Sequence, residues 1–190
     1  MNSRDYIFAE EKVPKAVLTL ALPTIFTQLV TVIYNLADTY FVGRMNDPNM
    51  VAAVSLCLPI FYFFLSCGNL YGVGGGTYIS RLLGQKRHEQ ARHVSAYAFY
   101  SGIGLSILSA ILFLAFRHPL LTLLGTSSNT YDFTRSYFTI MALGAPFMIM
   151  QNTLSQMIRA EGASKNAMYG LILGSVVNII LDPVMITTLG

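Results

Sequence analysis

Charge is scarce in this chain. Only 11% of its 190 residues are Asp, Glu, Lys or Arg, against about a quarter in soluble domains. So little charge excludes an ordinary water-exposed globular fold. Tryptophan is absent, and the two cysteines are Cys57 and Cys67. They fall on one expected helix, about 15 Å apart along its axis, which is too far for a disulfide. Both read as small apolar side chains. The three histidines, His88, His93 and His118, are not spaced with cysteines or acids as a zinc set. There is no Walker loop and no nucleophile motif. A dinucleotide-type glycine pattern starting at Gly72 fails at Thr77, and no strand precedes it. The sequence therefore gives no support to an enzyme or to ATP-driven transport, and no cofactor is expected. The net charge of +3 is spread over loops, with no basic run interleaved with aromatics, so no nucleic-acid partner is expected.

What is present is apolar. Hydrophobic residues make up 54% of the chain. A bilayer span needs about 20 mostly apolar residues, and five segments qualify, at about 16–42, 51–79, 94–116, 136–158 and 166–190. The expected fold is an all-α integral membrane protein of five transmembrane helices. Residues 1–15 form a lead-in of mixed charge, without the short apolar core of a secretory signal. The longest loop, RHPLLTLLGTSSNTYDFTRS, has an apolar patch that suggests a short interfacial helix.

Basic residues set the orientation. One side would carry Arg4, Lys12, Lys15, Arg81, Lys86, Arg87, Arg92, Arg159 and Lys165. The other would carry Arg44, Arg117 and Arg135. This bias expects a multi-pass protein of the cell membrane with a cytoplasmic N-terminus. The last apolar run stops at Leu189-Gly190 without a polar tail, and with an odd number of spans this reads as part of something larger.

Two acids interrupt the longest apolar stretches. Asp38 lies in ALPTIFTQLVTVIYNLADTYFVG and Asp182 in NAMYGLILGSVVNIILDPVMITTLG. A carboxylate at membrane depth costs about 3 kcal/mol on insertion scales, and chains that keep one generally use it for a cation, a proton or a cationic substrate. Thr24, Gln28, Thr31, Asn35 and Asp38 step by four and three along the first span, so they share one face. Lipid cannot satisfy such a face, which must look into the bundle or a wet cavity. Interhelical hydrogen bonding is the competing reading for Gln28 and Thr31. In the fifth span Gly170, Gly174, Asn178 and Asp182 step by four, and Pro183 should weaken the helix beside the acid. Freed carbonyls, an amide and a carboxylate would make an all-oxygen cation site. Spans one and five run the same way, and helical rise brings both acids to the outer half of the bilayer.

Small residues mark close packing. Gly68, Gly72, Gly76, Ser80 and Gly84 fall at four-residue steps in the second span, the spacing that lets helices approach closely. Gly102, Ser106 and Ala110 repeat it in the third, so spans two and three are expected to pack together. Gln151, Asn152, Ser155, Gln156 and Arg159 read as the polar end of span four, with an entrance lining as the alternative.

At these residues the sequence resembles the multidrug and toxic compound extrusion (MATE) transporters, in their MepA-like branch. The carriers are LPTIFTQLVTVIYNLADTYFVGRM, AAVSLCLPIFYFFLSCGNLYGVGGGTYISRLLGQ, RAEGASKNAMYG and NIILDPVMI, in that order. The resemblance implies two six-helix bundles around a cavity, of which this chain would be an incomplete amino-terminal bundle, with the carboxy-terminal bundle absent. It implies antiport, in which H⁺ or Na⁺ enters and an organic cation or drug-like substrate leaves by alternating access. It implies that Asp38, Asn178 and Asp182 contribute to a cation site; Gln28, Thr31 and Asn35, on the polar face of the first span, are the residues expected to line the cavity. The expected partners are the lipid bilayer, the substrate, and the missing half of the transporter or an oligomeric partner. A lipid-linked saccharide flippase of the same superfamily is the nearest rival, disfavoured because the basic residues sit in loops. A non-transporting membrane subunit or fragment is the rival of another class.

Overall fold

The computed structural model describes residues 13–43 and 47–189, without the side chains of 38, 39, 41–43 and 182–189. Most of the lead-in at 1–15 thus lies outside the described residues. Among those described there are six helices. They are α1 (Val13–Gly43), α2 (Pro48–Gly84), α3 (His88–Ala115), α4 (Arg117–Leu123), α5 (Tyr131–Ala160) and α6 (Ser164–Leu189). The short α4 sits where the apolar loop patch suggested a helix. Among the described residues, four helices are long and apolar enough to cross a membrane: α1, α2, α3 and α6. With 30 residues, α5 is about 45 Å long, yet it is less apolar because it carries much of the bundle's polar bonding.

Local chemistry fixes the helix ends. Asp47 caps α2, its carboxylate accepting from the Asn49 amide at 2.9 Å, with Pro48 in the first turn. Three helices end in the same closing turn, in which a residue of positive φ lets two amides reach back to the last carbonyls. For α4 that residue is Gly125, with bonds Gly125 N–H to Thr122 O and Thr126 N–H to Leu121 O. For α5 it is Gly162, with bonds to Arg159 and, from Ala163, to Ile158. For α2 it is Lys86 at φ 59°, with Lys86 N–H on Leu83 O and Arg87 N–H on Leu82 O, both 2.9 Å.

The helices form two groups. In the first, α2, α3 and α5 pack mutually, and α4 lies against α5. Its core contains Cys57, Ile60 and Phe64 of α2 with Phe138, Ala142, Ala145 and Ile149 of α5. Phe113 of α3 reaches both Phe64 and Phe138, at centroid distances of 4.9 and 6.3 Å. The two cysteines are free, as the spacing required. The second group is the pair α1 and α6, which joins the first mainly where α6 leaves the turn after α5. Ser164 and Ala167, at that end of α6, are buried.

The glycine stripe meets a different partner from the one expected. A methyl added at Gly68 would lie 2.9 Å from Ile149 O and from Asn152 Nδ2. At Gly72 it would lie 3.0 Å from Gln156 Cβ and 3.1 Å from Thr153 Cα, and at Gly76 2.9 Å from Ala160 Cβ. All three meet α5. The third helix approaches another side of α2, where Gly75 meets Ala98 at 3.2 Å. Gly84 has open space around it, so the close approach ends before the last glycine of the repeat.

The polar residues of α5 explain why. Asn152 donates to Leu65 O (3.1 Å) and Asn69 Oδ1 (2.9 Å), and Thr153 Oγ1 donates to Gly68 O at 3.1 Å. About two turns further along α5, Ala160 O accepts from Ser80 Oγ at 2.7 Å. Hydrogen bonds of this length require the backbones to come close, and only glycine leaves the room. Asn152 thus bonds α5 to α2, a role beyond marking the polar end of span four.

Candidate functional site between the first and last helices

The residues of α1 that turn toward α6 differ from its polar stripe by one step. Pro23 and Thr27 are buried, Tyr34 is half-buried, and Gln28 and Asn35 are exposed. Thr24, Thr27 and Thr31 return their hydroxyls to carbonyls four residues back, at 3.1, 2.8 and 2.9 Å. Their polarity is thus satisfied within α1. Gln28 and Asn35 lie on the open side of the α1–α6 seam. On α6 the sequence-predicted face is open as well: neither Gly170 nor Gly174 has a side-chain or other outside neighbour within 4 Å of an added methyl.

A polar bond crosses the seam. Asn178 Nδ2 donates to the Tyr34 hydroxyl at 3.1 Å. Asp38 follows Tyr34 by one helical turn, and Asp182 follows Asn178 by one turn. Both acids are helical by backbone, and their side chains lie outside the described residues. Pro183, expected to weaken the helix, does not interrupt it, since α6 continues to Leu189. A proline within a helix removes one hydrogen bond and kinks it more readily than it ends it. Tyr34 was not marked by the sequence reading, because a tyrosine in an apolar run reads as a hydrophobic side chain.

Apolar membrane-length helices with a polar seam between the first and last define a helical membrane protein. A family model, MatE, matches residues 23–184, and the chain belongs to that family. It is 40% identical over 181 residues to the multidrug export protein MepA of Staphylococcus aureus (strain NCTC 8325 / PS 47), covering 95% of this chain and 40% of MepA. The MepA of Staphylococcus haemolyticus is 39% identical over the same length. Among solved structures, an outward-facing multidrug resistance MATE family transporter of the MOP superfamily superposes with a TM-score of 0.93 at 28% identity. All of this chain is covered, and 42% of that one. A MOP superfamily transporter from Pyrococcus furiosus gives the same score and coverage. The chain thus spans about two fifths of the length of the relatives it matches.

Proposed function

We propose that this chain is the amino-terminal part of a multidrug efflux antiporter, exchanging H⁺ or Na⁺ for organic cations by alternating access. In this reading α5 crosses the membrane with the other four long helices, and the N-terminus is cytoplasmic in the cell membrane. The observation that carries the site is the Tyr34–Asn178 bond. It joins the two helices that hold the intramembrane acids, at residues one turn before each. The parallel progression of contacts between α2 and α5, from Gly68 with Ile149 to Gly76 with Ala160, supports the same alternation of direction. With it, α1 and α6 run the same way, and Asp38 and Asp182 lie at one depth.

Asp38, Asn178 and Asp182 then offer oxygens from two neighbouring helices to one cation. Two carboxylates in a shared pocket oppose each other's ionisation, so an uncompensated pair holds a proton, and a bound Na⁺ takes the proton's place. Gln28, Thr31 and Asn35 lie on the face that leads to the site, and the exposed amides of Gln28 and Asn35 suit a hydrated passage. Substrate release follows when occupation of the site shifts α1 against α6. The test uses the complete transporter that contains this sequence, in proteoliposomes under an imposed ion gradient. Asp38→Asn and Asp182→Asn each keep size and polarity but take up no proton, and each should abolish gradient-driven efflux with expression unchanged. Normal efflux by the double variant would make both acids structural.

A further inference from the structure

Away from the α1–α6 seam, α2 and α3 enclose a cleft of about 450 Å³ lined by Tyr71, Gly74, Tyr78, His93 and Tyr97. At 100° per residue, positions 71, 74 and 78 point away from the Gly68–Gly72–Gly76 stripe that meets α5. The cleft therefore opens on the outside of the helix trio. Its depth comes from Gly74, around which a methyl would meet nothing within 4 Å. Its floor is the close approach of Gly75 to Ala98. Tyr78 and Tyr97 form the rims, 52% and 71% exposed. An open cleft with aromatic rims on apolar, membrane-length helices has chemistry suited to an acyl chain.

The groove leads to positive charge. A second recess, about 580 Å³, is lined by Lys86, Arg87, His88, Glu89 and Gln90. Gln90, His93 and Tyr97 step by three and four along one face of α3, so that face runs from the recess into the cleft. Among the residues that line the recess, Lys86 and Arg87 are cationic and Glu89 is the one acid. Lys86 is held there at φ 59°, in a turn position where the two comparable turns of this chain use Gly125 and Gly162. A side chain in the left-handed region costs stability that glycine avoids, yet this turn keeps a cation.

We propose that the α2–α3 cleft and its basic recess together bind one anionic phospholipid, with an acyl chain against Tyr78, Gly74 and Tyr97 and the phosphate against Lys86 and Arg87. A free phosphate has no use for the aromatic slot, and a zwitterionic lipid has less use for the recess. Basic pockets between helices at a membrane surface are suited to such headgroups. The site is separate from the seam that holds Asp38 and Asp182.

Native mass spectrometry of the delipidated complete transporter that contains this sequence, in detergent and titrated with phosphatidylglycerol or phosphatidylcholine, tests the proposal. Wild type should bind the first at least tenfold more tightly. Lys86→Gly with Arg87→Gln removes both charges and relieves the turn, so the fold is retained, and affinity for phosphatidylglycerol should fall by about fivefold per charge. Gly74→Leu fills the slot and should weaken both lipids, with exposed Tyr97→Ala as a second cleft variant should the leucine impair folding. Equal binding of the two lipids by wild type would overturn the proposal. So would unchanged phosphatidylglycerol binding in the charge variant or in a folded cleft variant, or displacement of phosphatidylglycerol by tetraphenylphosphonium, which would mark the tyrosines as a cation cage.

Discussion

Gly68→Ala puts the contact between α2 and α5 to a sharp test. The added methyl would sit 2.9 Å from the Ile149 carbonyl oxygen. That atom is backbone and cannot move aside without shifting α5. The same methyl would sit 2.9 Å from Asn152 Nδ2, the atom that donates to Leu65 O and Asn69 Oδ1. Overpacking of this kind costs about 1–3 kcal/mol, and losing an interhelical hydrogen bond adds about 1 kcal/mol. Against this, alanine is the better helix former by about 1 kcal/mol. The net loss is about 1–3 kcal/mol. At about 2–4 °C per kcal/mol for a chain of this size, the melting temperature in detergent should fall by about 2–12 °C. Gly74→Ala is the matched control. It gains the same helix propensity and meets nothing within 4 Å, so its melting temperature should hold or rise. The assay is loss of the monodisperse peak on fluorescence-detected size exclusion after heating. If Gly68→Ala proves as stable as Gly74→Ala, the two helices do not approach as closely as described, and the account of the glycine stripe is wrong.

Thr153→Val removes the bond to Gly68 O at 3.1 Å while keeping the side chain's shape, and should cost about 1 kcal/mol, seen as a melting temperature lowered by a few degrees. Tyr34→Phe removes the hydroxyl that Asn178 donates to; in the complete transporter, apparent affinity for the coupling ion in a flux assay should weaken several-fold with expression unchanged, and unaltered affinity would detach this bond from the ion site. For topology, single cysteines at Gln85 and Ser128 in a background lacking Cys57 and Cys67 should be labelled in intact cells by an impermeant reagent only at 128; labelling at 85 alone would reverse the orientation.

The long helices are legible in the sequence because hydrophobic run length is a one-dimensional signal. The boundaries extend past the apolar runs, as in α2, which starts at Pro48 and ends at Gly84, because caps and turns set helix ends. The glycine stripe is equally visible, but a small-residue pattern states that something comes close, not what. Its partner, α5, is recognised by the polar residues Asn152 and Thr153, which bond across the contact. The second small stripe, Gly102, Ser106 and Ala110, lies on α3, which approaches another side of α2. On α1 the polar stripe drew attention to Gln28 and Asn35, yet the seam is built one step away by Thr27 and Tyr34. Threonines that bond their own helix look identical in sequence to threonines that line a cavity. The pairing of the first and fifth spans was argued from two lone acids, and the structure brings those helices together through neighbours of the acids.

The uneven attachment of α1 and α6 has a mechanical consequence. The pair is fastened to the other helices chiefly near the turn at Gly162, where Ser164 and Ala167 are buried. From there α6 extends over 26 residues, about 39 Å. This is a lever with its fulcrum near Gly162 and Asp182 about 27 Å along it. A tilt of about 10° at the turn translates into about 5 Å of travel at the acid, with no change in the packing of α2, α3 and α5. Small rearrangements at one surface are thereby geared into large ones near the other, and Tyr34 on α1 is carried along through its bond to Asn178.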